Sequence, residues 1–110
     1  MVTFETVRQL ALALPEVEEG ITHGTPSFKV RKKFLSRLCE EGVLVVKCNL
    51  VFKEVLLQSQ PNIYFTTPHY DGYPYILVRL AEVGEDDLRD LFTDAWRMTA
   101  PKRLVAAHEA

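Results

Sequence analysis

The chain has 110 residues, 47% of them apolar and 25% charged, a supply that builds one folded core and is too small for two. Its net charge of −2 argues against a surface that is cationic throughout, the usual state of a dedicated nucleic-acid binder. The apolar stretch at 10–14 has no basic lead-in and no small-residue cleavage site, and other apolar runs fall far short of the roughly 18–20 residues that cross a bilayer. A cytoplasmic protein without membrane contact is therefore expected.

Thr3 can cap a helix in which Val7, Leu10, Ala11 and Leu14 share a face, and Pro15, which has no N–H to donate, stops it. A helix over 3–14 is predicted. From Val17 to Lys47 the pattern changes to short strands, with Gly20, Gly24 and Pro26 punctuating the start. Residues 27–31 alternate polar and apolar, as a half-buried strand does. Arg31-Lys32-Lys33 is the expected turn, and 34–39 is the returning strand. Glu40-Glu41-Gly42 turns again, and the valine-rich segment 43–47 reads as a central strand.

Asn49 can cap a second helix that ends before Pro61, with Phe52, Val55, Leu56 and Ser59 on one face. The alternative is that the strand before it runs on through Phe52. Segments 62–66 and 75–80 read as two further strands joined by 67–74. The last helix has the strongest pattern: Leu88, Leu91, Phe92, Ala95, Trp96 and Thr99 recur at helical spacing. Glu85, Asp86 and Asp87 complement its N-terminal dipole, and Pro101 closes it. Residues 106–110, His108 included, read as a tail. The fold expected is a single α+β domain, a two-layer sandwich of order α-β(3)-α-β(2)-α with a mostly antiparallel sheet and its helices on one face.

Chemistry is sparse along this chain. Each glycine stands alone at a predicted turn, and the phosphate-cradling patterns GxGxxG and GxxxxGK[ST] and the nucleophile elbow GxSxG are absent from the sequence. Cys39 and Cys48 lack paired spacing and read as reduced, buried thiols. His23, His69 and Asp71 could approach one another from two loops, but a metal site would need a further ligand, and hydrogen bonding to loop backbone explains the two histidines more simply. Neither a metal nor any other cofactor is expected, and the chain does not read as an enzyme.

Two features rise above this background. Segment 67–74, Thr-Pro-His-Tyr-Asp-Gly-Tyr-Pro, gathers His69, Tyr70 and Tyr73 around an Asp71-Gly72 turn. It is either a stiff wide hairpin or a patch that stacks on a flat partner. Five of the chain's 13 basic residues, Lys29, Arg31, Lys32, Lys33 and Arg37, fall between Ser27 and Leu38 with no acidic residue among them. A hairpin so charged can lie along a phosphate backbone, or it can be a solvated edge that discourages aggregation.

The pieces His23-Gly24-Thr25-Pro26-Ser27-Phe28-Lys29-Val30, Lys33-Phe34, Thr67-Pro68-His69-Tyr70-Asp71-Gly72, Tyr75-Ile76-Leu77-Val78-Arg79-Leu80, Ala95-Trp96 and Ala100-Pro101-Lys102-Arg103-Leu104 resemble the MmcQ/YjbR family in order and spacing. The resemblance implies a compact sandwich similar to type III secretion chaperones and described as CyaY-like. It also implies a DNA-binding role through a proposed double-wing arrangement, and it brings no established catalytic set. The wings would be the hairpin at 31–33 and the loop at 67–74. On this reading the module binds DNA through Lys29, Arg31, Lys32, Lys33 and Arg37, assisted by His69, Tyr70 and Tyr73. The alternatives are a protein or peptide partner, which includes a second copy of the chain, and a small-molecule or metal site at His23, His69 and Asp71.

Overall fold

The computed structural model describes residues 2–109. Its elements are α1 (Phe4–Leu12), β1 (Val17–Thr22), β2 (Thr25–Val30), β3 (Lys33–Glu40), β4 (Val43–Lys47), α2 (Leu50–Ser59), β5 (Tyr64–Phe65), β6 (Tyr75–Arg79), α3 (Glu85–Thr99) and α4 (Lys102–Glu109). The six strands form one antiparallel sheet in the order β1-β2-β3-β4-β6-β5. Helices α1, α2 and α3 pack on one side of it. The two-layer α+β sandwich is present, with one strand and one helix more than expected.

The extra strand is β1, an edge strand in which only Val17 is buried. Glu18 and Glu19 hide its strand character from a periodicity reading, and charge on an edge is one way sheets discourage unwanted pairing. The extra helix is α4. Ala100 is extended, as a residue before proline prefers. Pro101 then accepts the N–H groups of Leu104 and Val105, at 3.0 and 3.1 Å, and so opens a second helix. The expected tail is therefore folded through Glu109. His108 sets its ring edge-on to Trp96 with centroids 5.0 Å apart, and Glu109 pairs with Arg97.

Thr3 caps α1, its hydroxyl accepting from the Thr6 N–H. Asn49 caps α2, its Oδ1 accepting from the Phe52 N–H at 2.7 Å. All six apolar-face positions named for α3 are buried. The core between helices and sheet holds Phe28, Leu35, Leu44, Val46, Ile76 and Val78 from the strands against Val7, Leu88, Phe92 and Trp96 from the helices. Each such side chain contributes about 1.5–3 kcal/mol by leaving water. Among the described residues no helix is long and apolar enough to cross a membrane.

Helix α2 departs from its predicted facing. Its buried residues are Lys53 and Leu56, while Phe52 and Val55 are exposed. The loop before β6 turns the helix this way, as described below. β5 is only two residues long.

Candidate functional site

The strand register decides which side chains share the sheet face that lacks helices. Ser27, Arg37, Val45, Leu77 and Phe65 stand in one row across β2, β3, β4, β6 and β5. The neighbouring row pairs Lys29 with Phe34 and Lys47 with Tyr75. Val45 and Leu77 are 0% and 2% exposed, although they lie outside the helix-side core. Something must therefore cover them; Arg79 folds over Phe65 beside Leu77, and the segment 67–74 brings Tyr70 to Arg37 and Tyr75 on this face.

That segment is built from successive turns. The N–H groups of Tyr70 and Asp71 both donate to the Thr67 carbonyl, and the Tyr73 N–H donates to Tyr70. Gly72 sits at φ +80°, in the left-handed region that suits glycine. Lys53 of α2 holds the segment from beneath. Its Nζ donates to the carbonyls of Tyr70 and Tyr73, each at 2.8 Å, and the side chain is only 4% exposed. Burial lowers the Lys53 pKa, and nearby Asp71 opposes that shift. An ammonium in this position needs two good acceptors, because burying a charge without partners is costly. This requirement sets the rotation of α2 and leaves Phe52 and Val55 outside. The signal in the sequence was a lone lysine within an otherwise apolar stretch, 50–57, that holds one other charge, Glu54.

Held in this way, Tyr70 reaches from the loop to β3. Its hydroxyl accepts from Arg37 Nη2 at 2.8 Å, and its ring lies 6.2 Å from Tyr75 and 4.7 Å from His69. Tyr75 meets Phe34 edge to face at 5.5 Å. The result is a cleft of about 180 Å³ lined by Thr22, His23, Phe34, Arg37, Tyr70 and Tyr75. A second cleft of about 290 Å³, lined by His69, Tyr70, Tyr73 and Tyr75, shares the Tyr70 and Tyr75 walls. Arg37 is half-buried and forms no ion pair among the described residues. Its other contacts are long ones, at 3.5 Å, to the Thr25 hydroxyl and the Leu38 carbonyl. A guanidinium placed among aromatic rings without a carboxylate suits an anion.

The five cations singled out from the sequence do not act as one group. Arg31 is held by Glu16 through two hydrogen bonds of 2.7 and 2.9 Å, and this pairing lowers the Glu16 pKa. Its charge is therefore balanced by a neighbouring carboxylate in an exposed ion pair. Lys29 faces Glu18 across β1 and β2, and with Lys32 it borders a shallow depression that also includes Glu18 and Glu19. Lys32 and Lys33 are exposed at the turn, and Arg37 lies apart, at the aromatic cleft. The hairpin tip itself is unusual: Arg31 and Lys32 have φ of 47° and 70°, a double left-handed turn normally given to Asn-Gly.

His23 and His69 line different clefts, and among the described residues no group of three His, Cys, Asp or Glu side chains is gathered to hold a metal. Cys48 is buried, which pushes its thiol up to about 11, whereas Cys39 is only half-buried at an irregularity in β3. Phe34, Tyr75, Lys47 and Lys53 were not singled out from the sequence. Only the register and the loop anchor bring them to the site.

The segments that meet here, 22–37 and 67–75, lie within residues 12–98, which match the YjbR family model. The chain belongs to the YjbR family. Relatives include uncharacterized proteins of Mycobacterium bovis and Mycobacterium tuberculosis, 51% identical over 71 residues, or 64% of this chain. The match is 48% of their length, so the chain spans about half of the curated relatives it matches. A crystal structure of a Deinococcus radiodurans protein, of family-model domain DUF419, superposes with a TM-score of 0.77. That alignment covers 89% of this chain and 78% of the other at 21% identity, which establishes a shared fold.

Proposed function

We propose that this YjbR-family domain is a non-enzymatic nucleic-acid-binding module that uses the helix-free face of its sheet. The observation that carries the reading is the unpaired Arg37 set among Phe34, Tyr70 and Tyr75, where a phosphate and a flat ring can be held together. Charge layout supports it. Lys29, Arg37, Lys47 and Arg79 occupy the helix-free side against Glu18, Glu40 and the covering loop's Asp71. On the opposite layer, Glu85, Asp86, Asp87, Asp90 and Asp94 outnumber Arg89 and Arg97 along α3, and both arginines are ion-paired. A polyanion is thus drawn to one side of a molecule whose total charge is negative. The hairpin tip adds Lys32, which borders Lys29 and Glu18 in a backbone conformation that lysine adopts at some cost, whereas Lys33 pairs with the core residue Val30 and so belongs to the opposite face.

The reading replaces a wing acting alone with a face, since Arg31 is already committed to Glu16. If about three or four phosphates are neutralised, the logarithm of the binding constant falls with the logarithm of salt concentration at a slope of about −3. Titrating labelled DNA at several salt concentrations measures that slope. Arg37→Glu should weaken binding by at least about tenfold through loss of one charge-assisted contact and repulsion at the same point. Asp86→Lys, on the far layer, should leave the affinity of the face nearly unchanged. Binding that ignores salt, or a failure to bind, would remove the reading.

A second reading has its own observation. Leu50, Val51, Val55 and Met98 form an exposed apolar patch beside a groove of about 700 Å³, with Val51 79% exposed. Such a patch favours a protein partner or a second copy of the chain. Light scattering separates the two readings: a dimer that ignores DNA supports this one.

A further inference from the structure

We infer that the nucleic acid held on this face is single-stranded, with unpaired bases entering the two clefts that Tyr70 and Tyr75 share. The inference rests on the nucleic-acid reading above and narrows it. Of the two clefts, at about 180 and 290 Å³, the first is well below and the second at the lower limit of the about 300–1,000 Å³ that encloses a whole small ligand. Each therefore suits one ring of a longer molecule better than a complete metabolite.

The walls have the right chemistry for such rings. Tyr75 meets Phe34 at 80° and Tyr70 at 68°, edge to face, so these side chains do not stack flat on one another. His69 also stands edge-on to Tyr70, at 88°. Because the clefts share a wall, two rings seated in them would be neighbours, as successive bases on a strand are. The first cleft holds Arg37, whose Nε donates to no protein acceptor among the described contacts, while Nη2 is fixed by the Tyr70 hydroxyl at 2.8 Å. The phosphodiester that joins two bases supplies the anion this guanidinium lacks. In a duplex, base faces are stacked on their neighbours and only edges reach the grooves, so a double strand cannot fill the clefts. Aromatic platforms beside a cation are a general device for holding single strands with little sequence preference.

The test compares a labelled oligothymidylate with the same strand annealed to oligoadenylate, by fluorescence anisotropy at matched salt. The single strand should bind at least about tenfold more tightly. Tyr73→Ala and Tyr75→Leu should each weaken it by about tenfold and weaken duplex binding by less than about threefold. Tyr73 is 59% exposed on the loop, so its replacement leaves the core intact even if Tyr75→Leu folds poorly. Arg37→Met should make the single-strand salt slope shallower by about 0.7. A duplex that binds as tightly as the single strand, or a Tyr73→Ala protein with unchanged single-strand affinity, would overturn the inference and leave salt-dependent duplex binding to support the broader reading. If neither form binds, both fall.

Discussion

Replacing Trp96 by Ala should cost about 3–5 kcal/mol of stability, in the range for removing a buried aromatic side chain. The ring is fully buried in α3 among the residues that join the helices to the sheet. It also performs two local tasks. Its Nε1–H donates to the Pro15 carbonyl at 3.0 Å, tying the end of α1 to the core, and its edge receives His108 of α4. Domains of this kind have about 5–15 kcal/mol in total, so the variant would sit near the folding threshold. Trp96→Phe keeps most of the volume but leaves the Pro15 carbonyl without its donor, which should cost about 1–3 kcal/mol. Urea denaturation of the three proteins gives both values. A loss below about 1 kcal/mol for Trp96→Ala would mean that the ring is not packed as described, because surface substitutions fall in that range.

Lys53→Met should loosen the segment 67–74 and leave the rest of the fold standing. The buried ammonium donates to two loop carbonyls, and methionine fills similar space without a donor. Since those acceptors are neutral, the change strands no opposite charge, and the cost should be about 1–3 kcal/mol rather than the about 3–5 kcal/mol of a broken buried ion pair. The sharper effect is local. Tyr70 would lose its anchor and with it the fixed hydrogen bond to Arg37. Amide exchange at Tyr70, Asp71 and Tyr73 should quicken by at least about tenfold while exchange in β4 and β6 changes far less, because local opening is independent of global unfolding. Nucleic-acid affinity should fall with it. Unchanged exchange at those three amides would contradict the role given to Lys53.

These two residues also mark what a single sequence could and could not reveal. Trp96 belongs to a helix whose apolar period, acidic first turn and terminal proline all agreed, and every position expected to be buried there is buried. Lys53 lies in a helix whose ends were legible from Asn49 and Pro61 but whose facing was not. The apolar pattern pointed to Phe52 and Val55, and a long-range need, two carbonyls in a loop 17 and 20 residues away, decided otherwise. The cleft was hidden for a related reason. Arg37 and Tyr70 are 33 residues apart, and Phe34 joins Arg37 on the helix-free face only through a register shift between β2 and β3, at Phe28 and Lys29. A shift of one residue moves a side chain to the opposite face. Charge counting found the basic segment but not Glu16, which adopts a left-handed conformation before β1 and binds Arg31.

The most direct test of a binding face is to watch which backbone amides respond when a short single-stranded oligonucleotide is added to isotopically labelled protein. Perturbations confined to Thr22, His23, Phe34, Arg37 and residues 69–75 would agree with the helix-free face as the seat of binding. Perturbations centred on Val51, Val55 and Met98, or none at saturating oligonucleotide, would contradict it.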